Sequence, residues 1–524
     1  MNQFEIKIEQ NDKMKAVKGE GEVNVLRVLR ENDIYLPALC NGNGTCGKCK
    51  VRLSSMAPVT EADKKVFTQE ELREGYRLAC KAEVKEDTYV RIPEGEEEMT
   101  VQSEGNKKIN KNSNRHAEDV FIAVDIGTTT IAMALVGYES KEILSIYTTL
   151  NHQRAFGGDV INRIAAANQG KIQELNALIR EDLWKGICDL LGLGKGEDFS
   201  SNFKKIVIAG NTTMMHLLMG YSCESLGHHP FHSDHLGQYH GTLKDCFKEE
   251  PLEAYHLEEK ELMLFPGVSA FVGGDIVAGL QMCNSFQTEE LTFLLDLGTN
   301  GEMVIGNKDR MFSTSAAAGP AFEGGNITCG TGSIPGAVSQ VKIQNKRAIV
   351  KTIEGNKKVR GICGTGIVSA IAELKLSKIM DREGALQFPF SKQGFPLWNV
   401  PGEEKISLYQ QDIRQFQMAK AAIRTGVEQL MDAYGCSYEE VKKVYLAGGF
   451  GTKLSVDDAI ETGILPEEFR GKVEAIGNGA LYGAIAYELE EVKKDLNEFA
   501  GRIQNIPLAQ SEGFQEKYLK YMGF

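Results

Sequence analysis

FIAVDIGTTT, residues 121–130, returns 171 positions later as TFLLDLGTNG, residues 292–301. Each is an apolar run that reads as a buried strand and ends in Asp-x-Gly-Thr. A second pair follows in the same order, KKIVIAGN at 204–211 and KKVYLAGG at 442–449. The order A, B, A′, B′ predicts a duplicated domain. Asp125 to Gly210 is 85 positions and Asp296 to Gly448 is 152, so the second half carries about 67 extra residues, expected in loops or an added subdomain.

A strand running into Asp-x-Gly-Thr has a physical logic. Gly127 and Gly298 permit a tight turn whose N–H groups face phosphate oxygens. The hydroxyls of Thr128, Thr129, Thr130 and Thr299 add donors, and Asn300 and Gly301 complete the second turn. Asp125 and Asp296 stand at the strand ends, where a carboxylate holds Mg²⁺ through water or orients a nucleophile. Two such hairpins facing across a cleft would clamp a triphosphate. One copy alone would be weak, because ordinary hairpin turns use the same residues. In LAGGFG, Gly448, Gly449 and Gly451 let backbone approach a flat adenine. These motifs resemble the first phosphate, second phosphate and adenosine motifs of the acetate kinase, sugar kinase, Hsp70 and actin superfamily. The resemblance covers roughly 119–490 and implies two ribonuclease H-like subdomains around a cleft that closes on ATP.

The N-terminal stretch CNGNGTCGKC, residues 40–49, holds G-x-x-x-x-G-K from Gly42 to Lys48. A P-loop would next need Ser or Thr to reach Mg²⁺, and Cys49 stands there instead. Cys40, Cys46 and Cys49 are spaced C-x5-C-x2-C, with Cys80 further on, and glycines are interleaved. Four thiolates are the ligand count of a [2Fe–2S] cluster, and glycine supplies the backbone angles of a loop wrapped around one. A structural zinc site is the alternative, but it usually shows two short pairs, and one is present. FEIKIEQ, RLACKAEV and TYVRIP read as strands and VNVLRVLREN as a helix. The pattern resembles a β-grasp ferredoxin, closer to the adrenodoxin-like carriers than to the plant-type spacing.

The expected fold class is therefore α+β followed by α/β. A β-grasp [2Fe–2S] ferredoxin domain occupies 1–94. A flexible linker at 95–118 is rich in Lys, Asn and Glu, with a reach of about 25–29 Å if it behaves as a coil. A duplicated actin/Hsp70/sugar-kinase-like ATPase domain fills 119–524, with halves at 119–285 and 286–490 and a C-terminal extension at 491–524.

The net charge of −13 and pI of about 5.4 disfavour nucleic acid and anionic membrane surfaces as partners. No apolar run is long enough to span a bilayer, and the polar start does not read as a signal peptide. Eleven cysteines, an odd number, point to a reducing cytoplasm.

Several other residues stand out. Asp275 in GGDIVAGL reads either as a metal- or water-orienting carboxylate or as a helix cap. Glu302 is similar but weaker. His216, in the Met-rich GNTTMMHLLMG, reads as a core residue ahead of a ligand. CGTG at 329–332 and again at 363–366 reads as glycine loops entering helices, with a second metal centre as the minor alternative. The small-residue run SAAAGPAFEGGNITCGTGS suits backbone that packs near a ligand or slides against another subdomain.

Together, the ferredoxin spacing and DIGTTT, AGNTTMMH, GGDI, DLGTNGE, AGPAFEGG, CGTG and LAGGFG resemble the reductive activators of corrinoid proteins. That resemblance implies ATP-dependent reduction of an inactive Co(II) corrinoid to Co(I), so that methyl transfer resumes. It assigns Cys40, Cys46, Cys49 and Cys80 as cluster ligands, and Asp125–Thr130, Asp296–Gly301 and Gly448–Gly451 as the ATP–Mg²⁺ site. It implies a corrinoid protein of a methyltransferase system as partner and an electron donor for the cluster, and it is compatible with a homodimer. A plant-type centre lies near −400 mV, and each 100 mV of deficit costs about 2.3 kcal/mol per electron, which ATP can supply. Alternatives are an ATP-driven activator of a radical dehydratase, a redox-sensing small-molecule kinase, and a nucleotide-binding module without turnover.

Overall fold

The computed structural model describes residues 3–93 and 118–524, apart from 11–12, 33, 35, 37–39, 41, 45–46, 56, 195–198, 249, 356–357 and 402–404. The expected linker, except Glu118, and Cys46 lie outside the described residues. The chain groups into two compact units. One comprises Met1–Glu98, Leu150–Asp182 and His216–Pro230, the other Met99–Thr149, Leu183–Met215 and Phe231–Phe524.

In the first unit, β1 (Gln3–Gln10) and β2 (Lys13–Glu20) form an antiparallel hairpin. Phe4, Ile6 and Ile8 of β1 point inward and Gln3, Glu5 and Lys7 outward, the period-two pattern of a half-buried strand. With β3 (Lys50–Leu53), β4 (Tyr76–Leu78) and β5 (Thr88–Arg91) the sheet order is β2-β1-β5-β3-β4, with β1 and β5 parallel. This is the β-grasp arrangement. Helix α1 (Val25–Arg30) buries Val25, Leu26, Val28 and Leu29 against it, and Asn24 caps the helix by accepting from Arg27 N. Arg30 at its end donates to Ala155 O and lies 4.5 Å over the Phe156 ring, a cation–π contact within the same unit. Cys80 sits in the turn after β4 and not on a strand as RLACKAEV suggested, because β4 stops at Leu78.

In the second unit the duplication is visible as two sheets that share five strands in the same order, the sixth strand lying at opposite edges. The first contains β6 (Val120–Ile126), β7 (Thr130–Gly137), β8 (Ile143–Leu150), β9 (Phe203–Gly210), β10 (Tyr239–Thr242) and β11 (Glu261–Leu264), ordered β8-β7-β6-β9-β11-β10. Helices α2 (Thr212–Met219) and α3 (Gly274–Met282) follow β9 and β11. The second contains β12 (Thr292–Leu297), β13 (Gly301–Gly306), β14 (Met311–Ala316), β15 (Lys443–Ala447), β16 (Val473–Gly477) and β17 (Ile503–Asn505), ordered β16-β15-β12-β13-β14-β17. Helices α4 (Gly364–Leu376), α5 (Gln410–Tyr434) and α6 (Gly479–Leu489) belong to this half.

In both sheets a three-stranded antiparallel meander is joined by its first strand to two parallel strands, β6 to β9 and β11, and β12 to β15 and β16. The central strands are apolar almost throughout, as strands covered on both faces must be. Registers Asp125↔Ala209 and Asp296↔Ala447 bring both motif aspartates to the carboxyl ends of parallel pairs. In open α/β sheets that end is where ligands bind.

Helices α3 and α6, one from each half, pack at van der Waals distance. A Cβ on Gly483 would lie 1.8 Å from Ala278 O, so only glycine allows this approach. Between β14 and β15 the second half adds a three-stranded sheet (Ala337–Gln344, Arg347–Thr352, Gly361–Ile362) and a hairpin (Phe395–Trp398 with Ile406–Leu408). The C-terminal residues are integral to this unit. β17 extends the sheet in parallel with β14, and Glu512 O accepts from Gln429 of α5 at 3.0 Å. Among the described residues no helix is long and apolar enough to cross a membrane.

Candidate functional site

The two hairpin turns close as glycine turns do. Gly127 N donates to Thr130 O at 2.9 Å and Gly298 N to Asn300 O at 3.0 Å. Four carboxylates collect beside them. Asp125 and Asp296 are the penultimate residues of β6 and β12, Glu302 stands opposite Asp296 in the β12–β13 register, and Asp275 lies in the first turn of α3. The residue that caps α3 is Gly273, so Asp275 is not the cap, although its carboxylate accepts from Ile276 N at 2.9 Å.

All four acids are held above their ordinary range. Burial pushes Asp125 to about 7, against the hydrogen bond from Asn478, with the charges of Asp275 and Asp296 adding to it. Burial, then the charge of Asp275, pushes Asp296 to about 7. Burial pushes Asp275 to about 6 despite backbone N–H donors. Glu302 is raised well above normal by burial and by Asp275 and Asp296. No lysine or arginine enters any of these shifts. Crowded, half-buried carboxylates that draw no counter-charge from the described residues are chemically suited to a divalent cation. Among the described residues no group of three or more His, Cys, Asp or Glu is arranged to hold a metal ion by itself.

Two capping asparagines fix the first hairpin. Asn211 accepts from Met214 N at the start of α2 and donates to Thr128 Oγ1 at 3.1 Å. Asn478 accepts from Leu481 N at the start of α6 and donates to Asp125 Oδ2 at 2.8 Å. The N-terminal ends of both helices, where unpaired N–H groups favour anions, are thereby tied to the first phosphate turn.

Glu323 connects the hairpins to each other. It accepts from Thr299 Oγ1 at 2.9 Å and from Thr129 Oγ1 at 3.3 Å. Neither asparagine nor Glu323 was a sequence candidate. The signals were an Asn ahead of each helix and one acid in a run of small residues.

The LAGGFG glycines are not equivalent. Gly448, at φ +87°, lies where a Cβ would be 2.6 Å from Asp296 Oδ1, so its backbone closes on the second hairpin. Gly449 faces open space, whereas Gly451 packs against Leu446. Phe450 stacks on Phe322 at 5.2 Å between ring centres. Gly301 is required by packing, since a Cβ there would meet Ile423 Cδ1 at 2.0 Å. Thr130 opens β7.

In the ferredoxin fold the β3–β4 register, continued by Ala79 N donating to Cys49 O at 2.8 Å, sets Cys49 beside the Cys80 turn. The Cys49 thiol is raised by its hydrogen bond with Cys80, by burial, and by the charges of Cys80 and Cys40, so the Cys49 and Cys80 sulfurs are neighbours. Asn24 donates to Cys80 O at 3.1 Å and anchors that turn to α1. Gly42 and Gly44 take φ of +83° and +80°, angles that side-chain-bearing residues rarely adopt. Paired thiols beside a glycine loop have the chemistry of iron–sulfur ligands.

His216 is buried, with Nδ1 at 2.8 Å from Ser222 O and an edge-on contact to Tyr221, a satisfied core histidine. Cys363 precedes α4 as a buried thiol near Val338 O, and Cys329 donates to Ser407 O.

The chain is similar to known proteins over most of its length. Residues 8–85 match the 2Fe-2S iron-sulfur cluster binding domain, 120–287 the RACo middle region, and 290–524 the C-terminal domain of RACo, the ASKHA domain. The corrinoid activation enzyme RamQ of Eubacterium limosum is 31% identical over 452 residues, covering 81% of this chain and 74% of its own length. The [Co(II) methylated amine-specific corrinoid protein] reductase of Methanosarcina barkeri is 26% identical over 427 residues, 76% of each chain. A solved structure described as a reductive activator for corrinoid, iron-sulfur protein superposes with a TM-score of 0.66 at 26% identity, over 99% of this chain and 98% of the other.

Proposed function

We propose, for a chain that belongs to the RACo family, that it is an ATP-dependent reductive activator of a corrinoid protein, returning Co(II) corrinoid to Co(I) for methyl transfer. The observation that carries this reading is the presence, in one chain, of a glycine loop with paired thiols and of two phosphate-type hairpins flanked by carboxylates. When bound, a [2Fe–2S] cluster would supply the single electron and Mg²⁺ would offset the phosphate charge. Cys40, Cys46, Cys49 and Cys80 are the residues that would hold the cluster. Asp125 and Asp296, with Asp275, would hold the cation through water.

The chain's own residues do the rest. Thr128–Thr130 and Thr299–Asn300, in turns closed by Gly127 and Gly298, present N–H and hydroxyl donors to the phosphates. Asn211 and Asn478 keep the first turn oriented. Gly448 and Gly449 bring backbone to the base. Closing the cleft on the triphosphate draws the two halves together across the α3–α6 contact, where glycines allow close sliding. A closed state that binds the Co(II) partner differently from the open state is what lets nucleotide shift an unfavourable electron transfer. The electron donor and a homodimeric assembly belong to the same proposal, as does a cytoplasmic setting.

The test mixes anaerobically reduced protein with a Co(II) corrinoid protein, with and without Mg·ATP, and follows the cobalt absorption bands. Co(I) is expected with ATP, and not with Asp125→Ala. Equal Co(I) yields for the wild type and Asp125→Ala would refute the role of the cleft.

A further inference from the structure

We infer that Glu323 is the residue whose displacement distinguishes a bound triphosphate from a bound diphosphate. Its carboxylate holds one hydroxyl from each phosphate hairpin, and only a terminal phosphate displaces it. This rests on the cleft binding nucleotide as proposed above.

Thr129 Oγ1 and Thr299 Oγ1 come from opposite hairpins, yet both donate to this one side chain, at 3.3 and 2.9 Å. A hydroxyl carries a single proton and donates to one acceptor at a time. A phosphate oxygen placed between the hairpins must therefore take these protons from Glu323. The carboxylate and the phosphate are also like charges, which repel strongly at such range in an enclosed site. Glu323 thus occupies the clamp as an internal anion. A nucleotide that stops short of the two hydroxyls leaves it in place, whereas a terminal phosphate expels it.

The backbone is built for that exchange. Glu323 ends a short 3₁₀ turn, Pro320–Glu323, bounded by Gly319 at φ +73° and Gly324 at φ +82°. No atom lies within 4 Å of a Cβ placed on Gly319, which leaves room on that side. Beyond the turn the chain is pinned, since Asp412 accepts from both Thr328 N and Thr328 Oγ1 at 2.8 Å. Phe322, the preceding residue, stacks on Phe450 of LAGGFG, so displacement of Glu323 is felt at the base-binding loop. Glu323 is also the only charged residue between Arg310 and Lys342.

The experiment measures, on the full chain, the dissociation constants of Mg·ADP and of a non-hydrolysable Mg·ATP analogue for the wild type, Glu323→Ala and Glu323→Gln. Removing the competitor should tighten the triphosphate about tenfold and leave the diphosphate within about twofold. Glu323→Gln keeps an acceptor oxygen without the charge and should fall between the wild type and Ala. If the wild type binds neither nucleotide, the reading of the cleft fails and this inference with it. If the wild type binds both and neither variant changes the triphosphate-to-diphosphate ratio, or triphosphate binding weakens, the inference alone is overturned.

Discussion

Asp296→Asn should stabilise the nucleotide-free protein while abolishing its response to Mg·ATP. Asp296 is lifted from 3.8 to about 7 by burial and by the neighbouring Asp275. A folded-state value above the unfolded one means that the protonated form is favoured by folding. The stability it contributes is fully present below about pH 4 and is lost as pH rises through about 7. Three pH units correspond to a ceiling of about 4 kcal/mol at pH 8, and partial solvent access lowers this to about 2 kcal/mol. Asparagine cannot ionise and is nearly isosteric, so the variant escapes that penalty.

Thermal or urea unfolding of apo protein at pH 8 should show the variant more stable by about 2 kcal/mol, and the gap should close as pH falls from 7 to 4. In the same assay Mg·ATP should raise wild-type stability and leave the variant unmoved, because the carboxylate that answers the cation is gone. An apo variant less stable than the wild type at pH 8, or one still stabilised by Mg·ATP, would refute the view that Asp296 is an uncompensated acid awaiting a cation.

Three further outcomes follow from the same geometry. Mg·ATP affinity should weaken as pH drops from 8 to 6, because Asp125 and Asp296, raised to about 7, and Asp275, raised to about 6, take up protons there; calorimetry in buffers of different ionisation enthalpy would register proton release on binding. Gly448→Ala should cost about 1–2 kcal/mol from the left-handed backbone alone and should also push the Asp296 carboxylate aside, so both stability and ATP binding fall; unchanged ATP affinity would count against the Gly448–Asp296 approach. Cys80→Ser should remove the visible and EPR signals of the reconstituted centre while leaving nucleotide binding intact, and a retained signal would remove Cys80 from the ligand set.

The duplication was legible because strands buried on both faces must be apolar and their turns must be glycine, so FIAVDIGTTT and TFLLDLGTNG carry their structure locally. The helix Val25–Arg30 was legible for the same kind of reason, four apolar residues on one face. Asp125 and Asp296 could be read from their place at the strand ends. Asn478 could not, since it meets Asp125 across 353 positions and only the folded sheets bring them together. Glu323 lies 194 positions from Thr129, in a run whose small residues drew attention to backbone packing and away from its single charge. Gly301 and Gly451 looked like ligand-loop glycines, but their missing side chains make room for Ile423 and Leu446. A glycine in a motif does not say which neighbour demands it.

The coupling of nucleotide to electron is tested most directly by poising the protein and a Co(II) corrinoid partner at one fixed reducing potential and recording the Co(I) fraction before and after Mg·ATP is added. The account predicts a small fraction that rises on addition of nucleotide and stays low for Asp296→Asn. A Co(I) fraction unaffected by Mg·ATP in the wild type would contradict it.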